Sequence, residues 1–267
     1  MSYSIAGKTA IVTGAANGIG LAIGKRFADQ GANVIFADAD EKQLASELEQ
    51  LATEENVRFF AGDLRQRLTI ANLLSATIDA FEDIDILVNG ARQVMATDPL
   101  DPDDESFETL FTANLRPTFR LSQQVARRMI KQAADRDEVA PAGAIVNLSS
   151  VAARRTHPEL LAYSVNSAAL DQVTRSLAVT LAPHRIRVNS VAIGSVMSAS
   201  LQNTLKDNRE YRQDIEQHTP LARIAAPTEV AETVQFLASE ASGFMTGQVV
   251  TCDGGRTLLD PVEAPVH

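Results

Sequence analysis

The 267-residue sequence contains one cysteine, Cys252. A lone thiol forms no internal disulfide and supplies no CxxC metal clamp, and it fits a reducing cytoplasm. Histidine is scarce as well: His157, His184, His218 and His267 stand far apart, without the spacing of metal ligands. No apolar run approaches the roughly 18 residues of a membrane span. The start, Met-Ser-Tyr-Ser-Ile-Ala-Gly-Lys, lacks the charged segment and apolar core of a secretion signal. Basic residues are in the minority, 24 Lys+Arg against 34 Asp+Glu, for a net charge of −10. Such a surface repels a phosphate backbone, which argues against nucleic acid as a partner. What remains is ordinary globular usage, 45% apolar and 22% charged, in a length that suits one large α/β domain.

Short apolar, β-branched runs alternate with helical periodicity along the whole chain. Strands are expected at 9–13, 33–37, 57–61, 84–88, 144–148, 187–191 and 248–252. Several are apolar nearly throughout, as in a parallel sheet covered on both faces. Between them, Ile19, Ile23 and Phe27 share one helical face, as do Leu44, Leu48 and Leu51, and Leu170, Val173, Leu177 and Leu181. The alternation implies repeated βαβ units: a single-domain, Rossmann-like, doubly wound parallel α/β sheet of about seven strands with helices on both faces. The polar stretch 133–143 reads as a surface loop. Residues 195–220 lack clean periodicity and read as a lid over a substrate cleft or as a loosely packed connection.

The first strand runs into Thr13-Gly14-Ala15-Ala16-Asn17-Gly18-Ile19-Gly20 and then a helix. Glycines in that context permit a tight turn, close approach of backbone to a pyrophosphate and close helix–strand contact. The free N–H groups at the helix start, here at Asn17, Gly18, Ile19 and Gly20, then face the anion. Asp38 ends the next strand, eighteen residues after Gly20. A carboxylate there accepts hydrogen bonds from ribose hydroxyls and repels a 2′-phosphate, so NAD is expected rather than NADP.

These motifs, with others downstream, resemble the short-chain dehydrogenase/reductase family over residues 7 to about 256. Asp63-Leu64 resembles the pair that holds the adenine ring. Ile145-Val146-Asn147-Leu148-Ser149-Ser150-Val151 resembles the strand that delivers a catalytic serine, and Tyr163 follows Ser150 by 13 residues. Arg187-Val188-Asn189-Ser190-Val191 and Asp253-Gly254-Gly255 match further family elements. The resemblance implies hydride transfer between an alcohol and a carbonyl, with Ser150, Tyr163 and Asn114 catalytic. It places Asn89, Gly90, Ala91, Tyr163 and Ser167 against the nicotinamide half of the cofactor, and Gly194, Val196 and Ser198 against its carboxamide. It also implies a homo-oligomer, a tetramer or a dimer, joined through the helices that carry Asn114 and Tyr163.

The chain departs from the family around the nicotinamide. The YxxxK motif reads Tyr163-Ser164-Val165-Asn166-Ser167, and no lysine occurs between Lys131 and Lys206. The usual NNAG reads Asn89-Gly90-Ala91-Arg92, and the usual Pro-Gly reads Ile193-Gly194. An isolated phenol titrates near pH ~10, and a neighbouring cation typically favours its anion by roughly 1.4–4 kcal/mol. Ser167 supplies no such charge, although it can bond a ribose hydroxyl or a water. Arg92, in place of a glycine at a strand end, is expected to put a cation near the nicotinamide or the substrate. Arg155 and His157 are candidate substrate contacts, with Arg154 beside them. The helical run through Asn114 contains Pro117, which has no N–H to give Ala113, so a kink is expected there.

Two readings follow. One is an NAD-dependent oxidoreductase with Tyr163 as acid/base and Ser150 as donor to the substrate oxygen. The other is a non-catalytic NAD-binding or scaffold protein that keeps the fold and has lost the active-site lysine.

Overall fold

The first strand, Thr9–Thr13, is buried along its whole length, and alternate residues serve opposite sides of the sheet. Ala10 and Val12 join the core formed with the helix Gly18–Asp29, while Ile11 joins the core on the other face. This two-sided burial is why the strands read as continuous apolar runs in the sequence. The computed structural model describes residues 2–49, 51, 54–134 and 140–260. Its strands are β1 (Thr9–Thr13), β2 (Asn33–Asp38), β3 (Val57–Ala61), β4 (Ile86–Asn89), β5 (Gly143–Ser150), β6 (Ile186–Ile193) and β7 (Val249–Cys252). All pair in parallel, in the order β3-β2-β1-β4-β5-β6-β7.

Helices α1 (Gly18–Asp29), α2 (Glu41–Leu48) and α9 (Pro227–Ala238) cover one face with Ile19, Ile23, Phe27, Leu44, Val230 and Val234. On the other lie α3 (Arg67–Phe81), α5 (Arg116–Ala133) and α6 (Leu161–Leu181), burying Leu73, Leu121, Val125, Met129 and Ala178. Each fully buried aliphatic or aromatic side chain contributes about 1.5–3 kcal/mol. The order reverses between β1 and β4, so a crevice opens at the carboxyl ends of those strands. The single-domain, doubly wound sheet expected from the alternation is the architecture observed.

Some boundaries differ from the sequence pattern. β4 starts at Ile86, not 84: the Ile84 N–H donates to Gln132 Oε1 at 3.1 Å, so Ile84 is buried before the ladder begins. β5 and β6 continue to Ser150 and Ile193 because the polar Ser149 and Ser150 stay in the ladder with Ala192 and Ile193. Residues 195–220 contain two helices, α7 (Ala199–Asp207) and α8 (Arg209–Gln217). The loop expected at 133–143 lies partly outside the described residues.

The helical run through Asn114 is α4 (Ser106–Leu110), a π-helical turn (Phe111–Leu115) and α5, with Pro117 near the start of α5. The wide turn replaces the simple proline kink expected from the sequence. It precedes the residue that lacks an N–H, and the Thr118 hydroxyl donates to the Asn114 carbonyl at 2.7 Å.

Burial of Asp171 on α6 gives a pH prediction. Its side chain is only 4% exposed and one carboxylate oxygen has no hydrogen-bond partner. Desolvation raises its pKa above the usual carboxylate value, against opposing contributions from Ser149, Arg154 and Arg175. The native state therefore binds this proton more tightly than the unfolded chain. Its contribution to stability is complete below the unfolded value and is lost as pH rises through the folded one. Thermal unfolding followed upward from about pH 4 should show the wild type losing stability relative to Asp171→Asn. Parallel curves for the two proteins would remove Asp171 as the cause.

Candidate active site

Glycine chemistry shapes the turn after β1. Gly14 has φ +68°, and a Cβ on it would lie 2.7 Å from the Ala91 nitrogen and the Gly90 carbonyl. A Cβ on Gly20 would lie 2.0 Å from the Gly14 carbonyl oxygen. The turn therefore closes onto its own helix and onto the chain leaving β4. Thr13 ties the same two segments, its hydroxyl oxygen accepting from the N–H groups of Gly90 at 3.0 Å and Ala91 at 3.2 Å. These contacts leave a cleft of about 450 Å³ at the strand-order reversal.

Gly14, Asn17, Gly18, Ile19, Gly20, Asp38, Asp63, Leu64, Asn89, Gly90, Ala91, Arg92 and Ser198 all line this cleft. Asp38 accepts from Ala16 N at 3.0 Å and from Asp40 N at 3.1 Å, which fixes its carboxylate at the end of β2. Asp63 is paired with Arg65 at 2.9 Å, and that guanidinium holds its carboxyl below the usual range. Ser198 caps α7 by accepting from Leu201 N at 3.3 Å, and its Cβ lies 3.4 Å from where a Gly18 Cβ would be. A glycine cradle, a helix start lining the cleft and an acid at the neighbouring strand end fit a dinucleotide. In such a complex the Gly14–Gly20 turn would hold the pyrophosphate and Asp38 the adenosine ribose.

A second cavity, of about 20 Å³, adjoins the cleft. Asn89, Ala91 and Arg92 are among the residues that line both spaces, and Asn114, Tyr163, Asn166 and Ser167 are among those that line the smaller one alone. Tyr163 is 7% exposed, and Arg92 Nη1 donates to its hydroxyl oxygen at 3.2 Å. Ser167 donates to the Tyr163 carbonyl at 2.8 Å, one helical turn back. Asn114 accepts from Gln93 N at 2.7 Å and donates to Gln93 O at 2.8 Å, so its whole amide clamps the residue after Arg92.

Other candidates line neither space. Ser150 is buried at the end of β5, and its oxygen accepts from Ala152 N at 3.1 Å, which leaves its proton to donate. Ala152 packs in the same small cluster as Tyr163. Gly194 donates to Cys252 O at 3.0 Å, and Val196 bridges to Ala225. Arg155 is exposed and donates to the Thr257 carbonyl, and Arg154 reaches Thr251 Oγ1 at 3.2 Å. The exposed His157 accepts from Glu159 N at 3.2 Å. The sequence pattern did not single out Asn166, Thr118, Gln93 or Arg65. The local signal for Asn166 was its place beside the missing lysine. Among the described residues no group of three His, Cys, Asp or Glu side chains forms a metal site, and no helix is long and apolar enough to cross a membrane.

The doubly wound fold and its cleft suit a dinucleotide, and similarity to known proteins makes the family definite. A family model described as enoyl-(acyl carrier protein) reductase matches residues 14–257. The chain is 32% identical to an uncharacterized oxidoreductase of Mycobacterium tuberculosis, over 94% of this chain and 92% of that protein. It is also 32% identical to a 3-oxoacyl-(acyl-carrier-protein) reductase of Chlamydia trachomatis, over 96% and 99%. A short-chain dehydrogenase/reductase of unknown function from Caenorhabditis elegans, solved with cofactor, superposes with a TM-score of 0.84 at 28% identity. That match covers 96% of this chain and 97% of the other. The protein belongs to the short-chain dehydrogenase/reductase family and is an oxidoreductase of that type.

Proposed function

We propose that the chain is an NAD-dependent oxidoreductase that moves hydride between a secondary alcohol and a carbonyl. One observation carries the reading: the buried Tyr163 lines a cavity that shares Asn89, Ala91 and Arg92 with the dinucleotide cleft. A bound nicotinamide supplies or accepts the hydride. Tyr163 Oη gives a proton to the substrate oxygen during reduction and takes it back during oxidation. Ser150, oriented by the Ala152 N–H, donates a hydrogen bond to that oxygen as its charge grows. Gly194, Val196 and Ser198 are read as the carboxamide contacts, residues 195–220 as the cover of the substrate side, and Arg155 and His157 as its outer rim. The protein is read as a homo-oligomer joined through α5 and α6, whose outward faces carry Phe119 and Val165.

The NAD preference rests on Asp38. Arg65, a cation lining the same cleft, is paired with Asp63. Hydrogen bonds to a charged acceptor contribute about 1.5–3 kcal/mol. Asp38→Ala should therefore raise the NADH Kd about 10- to 100-fold and move the NADPH:NADH affinity ratio upward by more. An unchanged ratio, read by fluorescence titration of both cofactors, would reduce Asp38 to a residue that only holds its turn.

Purified protein assayed with NAD or NADH against a panel of secondary alcohols and ketones tests the whole reading. Turnover with NAD(H) supports it. Tight NAD binding without turnover on any member would favour the non-catalytic binding role.

A further inference from the structure

The family's lysine reaches the tyrosine from one turn along the same helix, and here that position is Ser167. The Ser167 hydroxyl is buried and donates to the Tyr163 carbonyl, so its proton serves the helix backbone and not the phenol. The side chain that meets the phenol oxygen comes from another element. Arg92 stands just beyond β4, 71 residues before Tyr163, and its Nη1 donates to Tyr163 Oη at 3.2 Å.

The backbone that presents Arg92 is held on both sides. Thr13 fixes Gly90 and Ala91 before it, and the Asn114 amide fixes Gln93 after it through both of its groups. Neighbouring cations are committed elsewhere, Arg154 to Thr251 and Arg155 to Thr257. A guanidinium keeps its charge at any working pH, and its hydrogen bonds to negative oxygen are among the stronger ones in proteins.

We propose that Arg92 supplies from the end of β4 the positive charge that a lysine supplies from α6 in the family, as the electrostatic partner of Tyr163 Oη. The inference rests on the reading of Tyr163 as acid/base. When Tyr163 gives up its proton in carbonyl reduction, negative charge gathers on Oη and the guanidinium stabilises it. In alcohol oxidation the same contact holds the negative oxygen that accepts the proton. The loss of the lysine therefore moves the charge to another element instead of removing it.

The smaller cavity provides the means of testing this. Asn89 Oδ1 and Asn166 Oδ1 are buried and have no hydrogen-bond donor, and both residues line the cavity beside Ser167 and Tyr163. An ammonium introduced at position 167 would find acceptors there, on the Tyr163 face of α6. Arg92 itself is exposed, so replacing it leaves the core intact.

The experiment compares wild type, Arg92→Gln and Arg92→Gln/Ser167→Lys in steady-state assays with NAD(H). It adds a crystal structure of the wild type with NAD bound. Arg92→Gln should lower kcat about 10- to 100-fold, the worth of one charged hydrogen bond, with KM and NAD Kd nearly unchanged. The double variant should recover most of that loss, and the NAD-bound structure should keep the Arg92–Tyr163 contact. An unchanged or increased kcat in Arg92→Gln overturns the proposal, since the guanidinium would then be a bystander or a plug. A change confined to KM, or an arginine swung away in the bound structure, overturns it too. A Tyr163→Phe protein that retained turnover would instead bring down the acid/base reading itself.

Discussion

Tyr163→Phe should leave a folded protein that binds NAD as the wild type does and turns over substrate about 100- to 10,000-fold more slowly. The substitution removes one oxygen from a ring that is 7% exposed and packed with Leu110 and Ala162. The packing is kept, because phenylalanine fills the same space. What is lost is the hydroxyl proposed to transfer the proton in the smaller cavity: Ser167 and Thr118 spend their protons on the helix backbone, and both groups of the Asn114 amide are bound to Gln93. In the proposed mechanism the remaining donor, Ser150, would stabilise charge on the substrate oxygen without giving up a proton and leave a residual rate above background. Arg92 loses its acceptor at the same time, so Arg92→Gln should have little further effect once Tyr163→Phe is in place. Initial rates and a cofactor titration on both proteins check the result. Retained turnover would show that the proton comes from elsewhere.

The second large effect concerns structure more than chemistry. Gly20→Val should yield no stably folded protein, a loss of more than about 4 kcal/mol. A Cβ at this position meets the Gly14 carbonyl at 2.0 Å and Ala15 Cα at 3.2 Å, all backbone, so no rotamer change relieves the clash. Relief requires α1 to move off the end of β1, and α1 packs against α9 through the largest core cluster. Gly7 is the control. Its φ is +72°, but a Cβ there would meet nothing within 4 Å. Gly7→Ala should therefore cost only the torsional penalty of about 1 kcal/mol and leave NAD binding intact. Circular dichroism of both variants, with urea denaturation of any that folds, separates steric from torsional origins. Equal losses would mean that the close approach at Gly20 is not what requires glycine.

Much of this architecture can be read from the chain because its central strands are covered on both faces. β1, buried throughout, coincides with its apolar run at 9–13, and the partly exposed edge strand β3 with the run at 57–61. The phosphate turn, Asp38 and the Ser150–Tyr163 spacing are local patterns and are legible for that reason. Ile84 misleads because it is buried from a loop, and a strand end that stays in the ladder with serines, as β5 does, carries no apolar mark. Residues 195–220 hide two helices because α7 and α8 are largely polar. The π-turn has no periodicity of its own, and Pro117 announces only that something must give. The Arg92–Tyr163 contact joins residues 71 apart, and no local spacing encodes it. The sequence shows a glycine replaced by arginine and a lysine replaced by serine, and only the folded sheet shows that the two changes meet.

One buried pair has a consequence for how the sheet assembles. Asn89 and Asn147 are partners in the β4–β5 ladder, with Asn89 Nδ2 donating to Asn147 Oδ1 at 2.8 Å. Asn89 also donates to Ser122 on α5, and Asn147 to Thr174 on α6. Strands that are greasy on both sides tolerate sliding by two residues, since every side chain then returns to the face it left. A slide of β4 along β5 would strand these amides among aliphatic neighbours, at a cost of roughly 1–3 kcal/mol for each group left unmet. The two asparagines thus work as a key in a lock, admitting one alignment of the central strands and, through it, one height at which Tyr163 can stand beside the cleft.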